Sequence, residues 1–141
     1  MKSVCKFFFL SNPLAPGLQD FGLLILRLFL GLALAINHGW GKLPPSQGFI
    51  DMVGSLGFPA PVVFAWLAAI AEFGGGALVV IGLATRFGAT LIILVMASAI
   101  LTAHSGDPFG KIELPLFFLT GAAALFFTGP GRFSIDRIIR R

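Results

Sequence analysis

The chain has 141 residues, 57% of them hydrophobic and only 11% charged, with a formal charge of +4 and a mean hydropathy of +0.95. That balance excludes an ordinary soluble domain and points to membrane spans. The basic residues flank apolar runs and form no aromatic-interleaved patch, which argues against nucleic acid. The single cysteine, Cys5, excludes an intramolecular disulfide, a CxxC pair and a cysteine metal cage.

Residues 1–19 begin with Lys2 and Lys6 around a short apolar patch, Phe7–Leu10. The patch is shorter than the core of a signal peptide, so an interfacial anchor at the headgroups is the better reading. A first span is expected over about 21–37. It is interrupted by Arg27, about 9 Å along the helix from Phe21. Gly31, Ala35 and Gly39 follow at spacings of four and give this helix a small-residue face for close packing. Trp40 belongs at headgroup level, and Pro44-Pro45 ends the helix. From Ser46 to Leu56, apolar Phe49, Met52, Val53 and Leu56 gather on one side, the pattern of a short amphipathic helix lying on the membrane surface.

A second span is expected over about 61–83. Glu72 is the one ionisable residue between Phe58 and Leu83, followed by Gly74-Gly75-Gly76. A charge at such a depth costs roughly 2.5–3.5 kcal/mol even on lenient insertion scales, so it must face protein, water or a partner. The triplet lacks the Lys-Ser/Thr of a phosphate loop and reads as a packing device. The tight turn at Ala84-Thr85-Arg86 makes the second and third spans antiparallel neighbours. The third span is expected over about 87–103. The fourth covers about 112–128, with Glu113 and Pro115 in its first turn, where proline is tolerated. A basic tail, 132–141, follows Gly129-Pro130-Gly131.

The expected fold is therefore all-α: one membrane domain, a four-helix bundle running up-down-up-down, with an amphipathic surface helix between spans one and two. Lys2, Lys6, Arg86, Arg132, Arg137, Arg140 and Arg141 lie on one side of the membrane, and Lys42 and Lys111 on the other. This asymmetry puts both termini in the cytoplasm.

The polar residues suggest a site. His38, Lys42, His104 and Glu113 fall at the outer ends of the spans, with Glu72 hanging below them. Convergence of the five would make an outward-facing pocket, with Glu72 and His38 as candidate proton-exchanging groups. Arg27 with Glu72 is the evident ion pair, either fixing helix register or tuning the acid. If Arg27 does not reach it, Glu72 is protonated or partnered by His38 or Lys42. Two histidines without a local ligand motif are weak grounds for a metal or haem, and none is expected.

LILRLFLG and HGWGKL around the first span, Leu56-Gly57-Phe58-Pro59, the block Glu72–Arg86 and GPGRFSID at Gly129–Asp136 together resemble the DoxX-like membrane proteins. The resemblance implies a small four-helix protein of the bacterial inner membrane with a loose link to redox systems, and it implies fold more firmly than reaction. Three functions are carried forward. The first is a quinone-interacting component of an oxidoreductase system, with a redox protein as a partner. The second is a non-enzymatic subunit that anchors a soluble partner, and the third a small transporter. The lipid bilayer is the surrounding partner in each, and a homo-oligomer is compatible with all three.

Overall fold

The structure is a computed structural model describing residues 16–139. The expected anchor at Phe7–Leu10, Cys5 and the last two arginines lie outside these residues. Helix α1 (Pro16–Leu32) runs without a break into a π-helical stretch, Ala33–Gly39, and a 3-10 turn, Trp40–Lys42. The amide of Trp40 donates to the carbonyl of Ala35, the five-residue step of a π-turn. Helix α2 (Gln47–Ser55) starts at Ser46, whose hydroxyl accepts from the Phe49 amide at 3.3 Å. Then come α3 (Pro61–Ile81), α4 (Thr85–Leu101), α5 (Phe109–Thr128) and a one-turn α6 (Ile135–Ile139). No strand occurs among the described residues.

Three helices are long and apolar enough to cross a membrane: Gly17–Lys42, Pro61–Ile81 and Phe109–Thr128. Helix α4 is also apolar but shorter, at 17 residues. Helix α3 is the central element, packing against α1, the π-helical stretch, α2 and α4, while α5 packs against α4 and α1. Leu30, Leu34, Val79, Ile92, Met96, Phe118 and Leu125 from these helices share one core.

The two crossings of α3 explain the glycine triplet. A Cβ on Gly76 would lie 2.8 Å from the Gly31 carbonyl and 3.0 Å from Ala35, so this glycine sets the approach of α1. A Cβ on Gly75 would lie 3.1 Å from the Gly88 carbonyl, so the preceding residue sets the approach of α4. Gly74 meets nothing nearer than a side-chain carbon of Ile70 on its own helix, at 3.9 Å. The small-residue face of the first helix packs where its spacing placed it: Gly39 sits against the backbone of Phe73.

Several boundaries differ from the sequence reading. The first helix begins earlier and continues through Gly39 and Gly41 to Lys42 because the π-turn accommodates Gly39 against Phe73. The fourth long helix starts at Phe109, which moves Pro115 from the first turn to the second, buried, where it cannot donate to the carbonyl of Lys111. The segment after Thr128 is not a simple tail. It folds back onto the helix ends, as the Arg27 geometry makes plain.

Candidate functional site

Arg27 and Glu72 are the two buried ionisable side chains among the described residues. They do not meet. Arg27, 1% exposed, gives Nε to the Val79 carbonyl and Nη2 to the Val80 carbonyl, each at 2.9 Å. Its Nη1 donates to the carbonyls of Pro130 and Phe133, both at 2.8 Å. A cation thus closes the C-terminal end of α3, where helix carbonyls lack intrahelical partners and the macrodipole is negative. Gly82 caps that helix in the left-handed region (φ 70°), and the guanidinium fills the space its side chain would occupy. No other residue type combines that φ with that vacancy.

The returning segment completes the arrangement. Asp136 donates its amide to the Gly82 carbonyl at 2.8 Å. Its carboxylate accepts from the amides of Ala84 (2.7 Å) and Thr85 (2.9 Å), capping α4. Asp136 also lies within electrostatic reach of Arg27. Asp20 on α1 accepts from the Arg132 amide at 2.8 Å. Asp136 thus closes the turn between α3 and α4, and Asp20 ties the returning segment to the first helix.

Glu72, 5% exposed, points the other way. Both its oxygens lie 2.7 Å from Nζ of Lys42, whose side chain is 32% exposed. The expected Arg27–Glu72 pair is thus corrected to Arg27–carbonyls and Lys42–Glu72. The reason is directional. Side chains on a helix tilt toward its N-terminus, and α1 and α3 are antiparallel, pairing 27 with 79–80, 31 with 76 and 42 with 72. Arg27 and Glu72 are therefore carried toward opposite ends of the helices. Lys42 was the fallback partner, and it is the one the geometry supplies.

The five-residue outer cluster contracts. Lys42 meets Glu72, and its Nζ sits 5.3 Å from the centre of the Phe49 ring on α2. Trp40 lies against Phe73 at 5.6 Å, and half-buried His38 packs edge-on against Phe118 at 5.4 Å. His104 is drawn away into its own turn: its Nδ1 lies 3.1 Å from Asp107, which also takes Lys111 at 3.3 Å. These two contacts, His104 first, hold the Asp107 carboxyl below its ordinary range. Glu113 is exposed on α5. Among the described residues, no three His, Cys, Asp or Glu side chains are placed to hold a metal ion.

Sequence reasoning missed Asp136 and Asp20, although Asp136 closes a motif it had noted. A cue was present: an arginine inside an apolar run without a carboxylate at its own depth, and a glycine, Gly82, at the end of the second apolar run. What the sequence lacked was the path of the chain after Gly131, which decides that these groups meet.

Apolar membrane-length helices, a glycine-set central helix and two buried charges, each answered by polar partners, define a polytopic helical membrane protein. Residues 22–105 match the DoxX family profile. The chain belongs to the DoxX family. It is 33% identical over 121 residues to the Bacillus subtilis protein named "Putative oxidoreductase CatD", covering 85% of this chain and 88% of the relative. It is 33% identical over 134 residues to the Escherichia coli "Inner membrane protein YqjF", covering 88% and 96%. Against the E. coli "Inner membrane protein YphA" it is 32% identical over 133 residues, covering 84% and 94%. No solved structure matches the chain.

Proposed function

We propose that this DoxX-family protein is a four-span, up-down-up-down bundle of the bacterial inner membrane with both termini in the cytoplasm. Its role is that of a quinone-interacting component of an oxidoreductase system. The topology is supported by the antiparallel register of α1 and α3, by inner-membrane names among the relatives and by the Lys/Arg asymmetry. The 17 residues of α4 span roughly 26 Å, at the short end of what crosses a bilayer. Reporter fusions after Arg86 and Arg141 should then be active in the cytoplasm and one at Asp107 outside it; the reverse at the C-terminus would sink the four-span count.

The observation that carries the functional reading is the Lys42–Glu72 pair. A carboxylate sealed at 5% exposure is joined to an ammonium that is still a third exposed and lies over the Phe49 ring, on the stretch of chain that also makes the His38–Phe118 and Trp40–Phe73 contacts. Such a pair places an ammonium donor at the edge of an apolar, aromatic environment, where a ring carbonyl can accept its hydrogen bond. Reduction of a quinone takes two electrons and two protons. The electrons come from a partner oxidoreductase. With a quinone bound, the Lys42 ammonium would supply the two protons in turn, recharging from the aqueous surface between them, while Glu72 holds that ammonium in place and His38 stands as the second candidate proton carrier. The name of the CatD relative supports the redox association.

The test is native purification with lipid and quinone analysis by mass spectrometry, on wild type, Glu72→Gln and Lys42→Met. Quinone retained by the wild type and lost from both variants supports the reading. Equal quinone content in all three ends it. The second reading then takes first place: a non-enzymatic membrane subunit holding a soluble partner, favoured by the way Lys42 closes over Glu72 and by the firmly built turn around Arg27. Transport ranks last, because backbone carbonyls take up Arg27 and close the inner half.

A further inference from the structure

The returning segment does more than cap helices. Between Arg132, Phe133, Arg137 and Ile138 lies an open cleft of about 340 Å³. Its lining is two cations and two apolar side chains. The carboxylates of this end, Asp20 and Asp136, line a separate cleft of about 240 Å³ that shares Arg132 and Arg137. The acids thus line the neighbouring cleft, and they are already engaged: Asp20 by the Arg132 amide, Asp136 by the amides that open α4. Asp20 also lies 3.9 Å from Nε of Arg132.

Phe133 and Ile138 are exposed, at 54% and 71%. So is Phe127, in the last turn of the membrane-length helix α5 that leads into this segment. Apolar side chains exposed beside the end of a span meet acyl chains, and arginines at the same level meet headgroups. The backbone carrying both arginines is fixed at three points: the Arg27 bonds to Pro130 and Phe133, the Asp20 bond to Arg132, and the Asp136 cap. Ordering is therefore largely complete before any ligand arrives, which lowers the cost of binding.

We propose that this cleft is a binding site for the phosphate of an anionic phospholipid, with Arg132 and Arg137 on the phosphate and Phe133 and Ile138 against the upper acyl chain. The paired, planar guanidinium donors suit phosphate oxygens, and the apolar walls distinguish a lipid from a free anion. The proposal rests on membership of a membrane family and not on the quinone reading.

The experiment uses the full chain in a nonionic detergent. Thermal unfolding is followed while phosphatidylglycerol, phosphatidylcholine or inorganic phosphate is titrated in, and retained lipid is counted by native mass spectrometry. Phosphatidylglycerol should raise the midpoint and remain bound, while the other two should do neither. Arg132→Gln with Arg137→Gln should unfold at the same midpoint as wild type without lipid, and bind phosphatidylglycerol about thirty-fold more weakly. Arg86→Gln, a cation at the same end but outside the cleft, should keep wild-type affinity. Each single arginine variant gives an intermediate loss, which keeps the test open if the double variant does not fold. An equal effect of phosphatidylcholine, an equal effect of inorganic phosphate, or an equal loss in Arg86→Gln would each overturn the proposal.

Discussion

Replacing Arg27 by methionine removes four hydrogen bonds from a buried cation while nearly preserving its stem. Bonds to a charged group contribute roughly 1.5–3 kcal/mol each, so four would give about 6–12 kcal/mol. That sum is an upper bound. The Pro130 and Phe133 carbonyls are only partly buried and can turn to water, whereas the Val79 carbonyl is deep. The loss of the cation also removes a favourable electrostatic interaction with Asp136. A destabilisation of about 3–5 kcal/mol is expected. Arg27→Lys keeps the charge but loses the planar fork, and should fall about halfway. Unfolding in mixed detergent–denaturant micelles, followed by helical circular dichroism, gives these numbers. The decisive arm is a double-mutant cycle. Arg27→Met and Glu72→Gln should add within about 0.5 kcal/mol, because they share no partner. Lys42→Met and Glu72→Gln should instead couple strongly. A loss below about 1 kcal/mol for Arg27→Met, or clear coupling between Arg27 and Glu72, would refute the carbonyl-clamp reasoning.

Three further outcomes follow from the same geometry. Gly76→Ala should destabilise by about 1–3 kcal/mol, because its Cβ meets backbone of α1, while Gly74→Ala should be neutral or slightly stabilising; equal effects in the same unfolding assay would remove the packing account of the triplet. Asp136→Asn should cost about 0.5–2 kcal/mol by weakening the cap on Ala84 and Thr85, with faster amide exchange in the first turn of α4 as the local signature. The Asp107 carboxyl is held below its ordinary value of 3.8 by His104 and then Lys111, so its stabilising contribution is present above that value and lost as the pH falls through the lower folded pKa. Asp107→Asn should flatten the acid limb of the melting curve, and an unchanged acid limb would show that these contacts do not form in solution.

How much was legible in the sequence differs between elements for physical reasons. Hydropathy and length are local properties, so the sequence alone placed the helices, including the short one at Gln47–Ser55, and the polar punctuation between them. Small residues at fixed spacing likewise announced the close face of the first helix, because only a missing side chain permits that approach. Ends were harder. The π-turn that carries α1 through Gly39 to Lys42 depends on the Phe73 backbone opposite, which no local pattern contains.

Pairing was harder still. From depth alone, Arg27 and Glu72 were natural partners, as the two charges within apolar runs. Tertiary structure separated them because antiparallel helices aim their side chains in opposite directions. It gave Arg27 four carbonyls, two of them from a segment more than a hundred residues away, and gave Glu72 the lysine at the far end of the first helix. It also turned a run of basic residues into a fixed turn, because Asp136 finds the two amides that open α4. The sequence by itself determined that this chain lives in a membrane and that its few charges must be answered. Only the fold decided which group answers each, since that choice depends on helix direction and on where the chain returns.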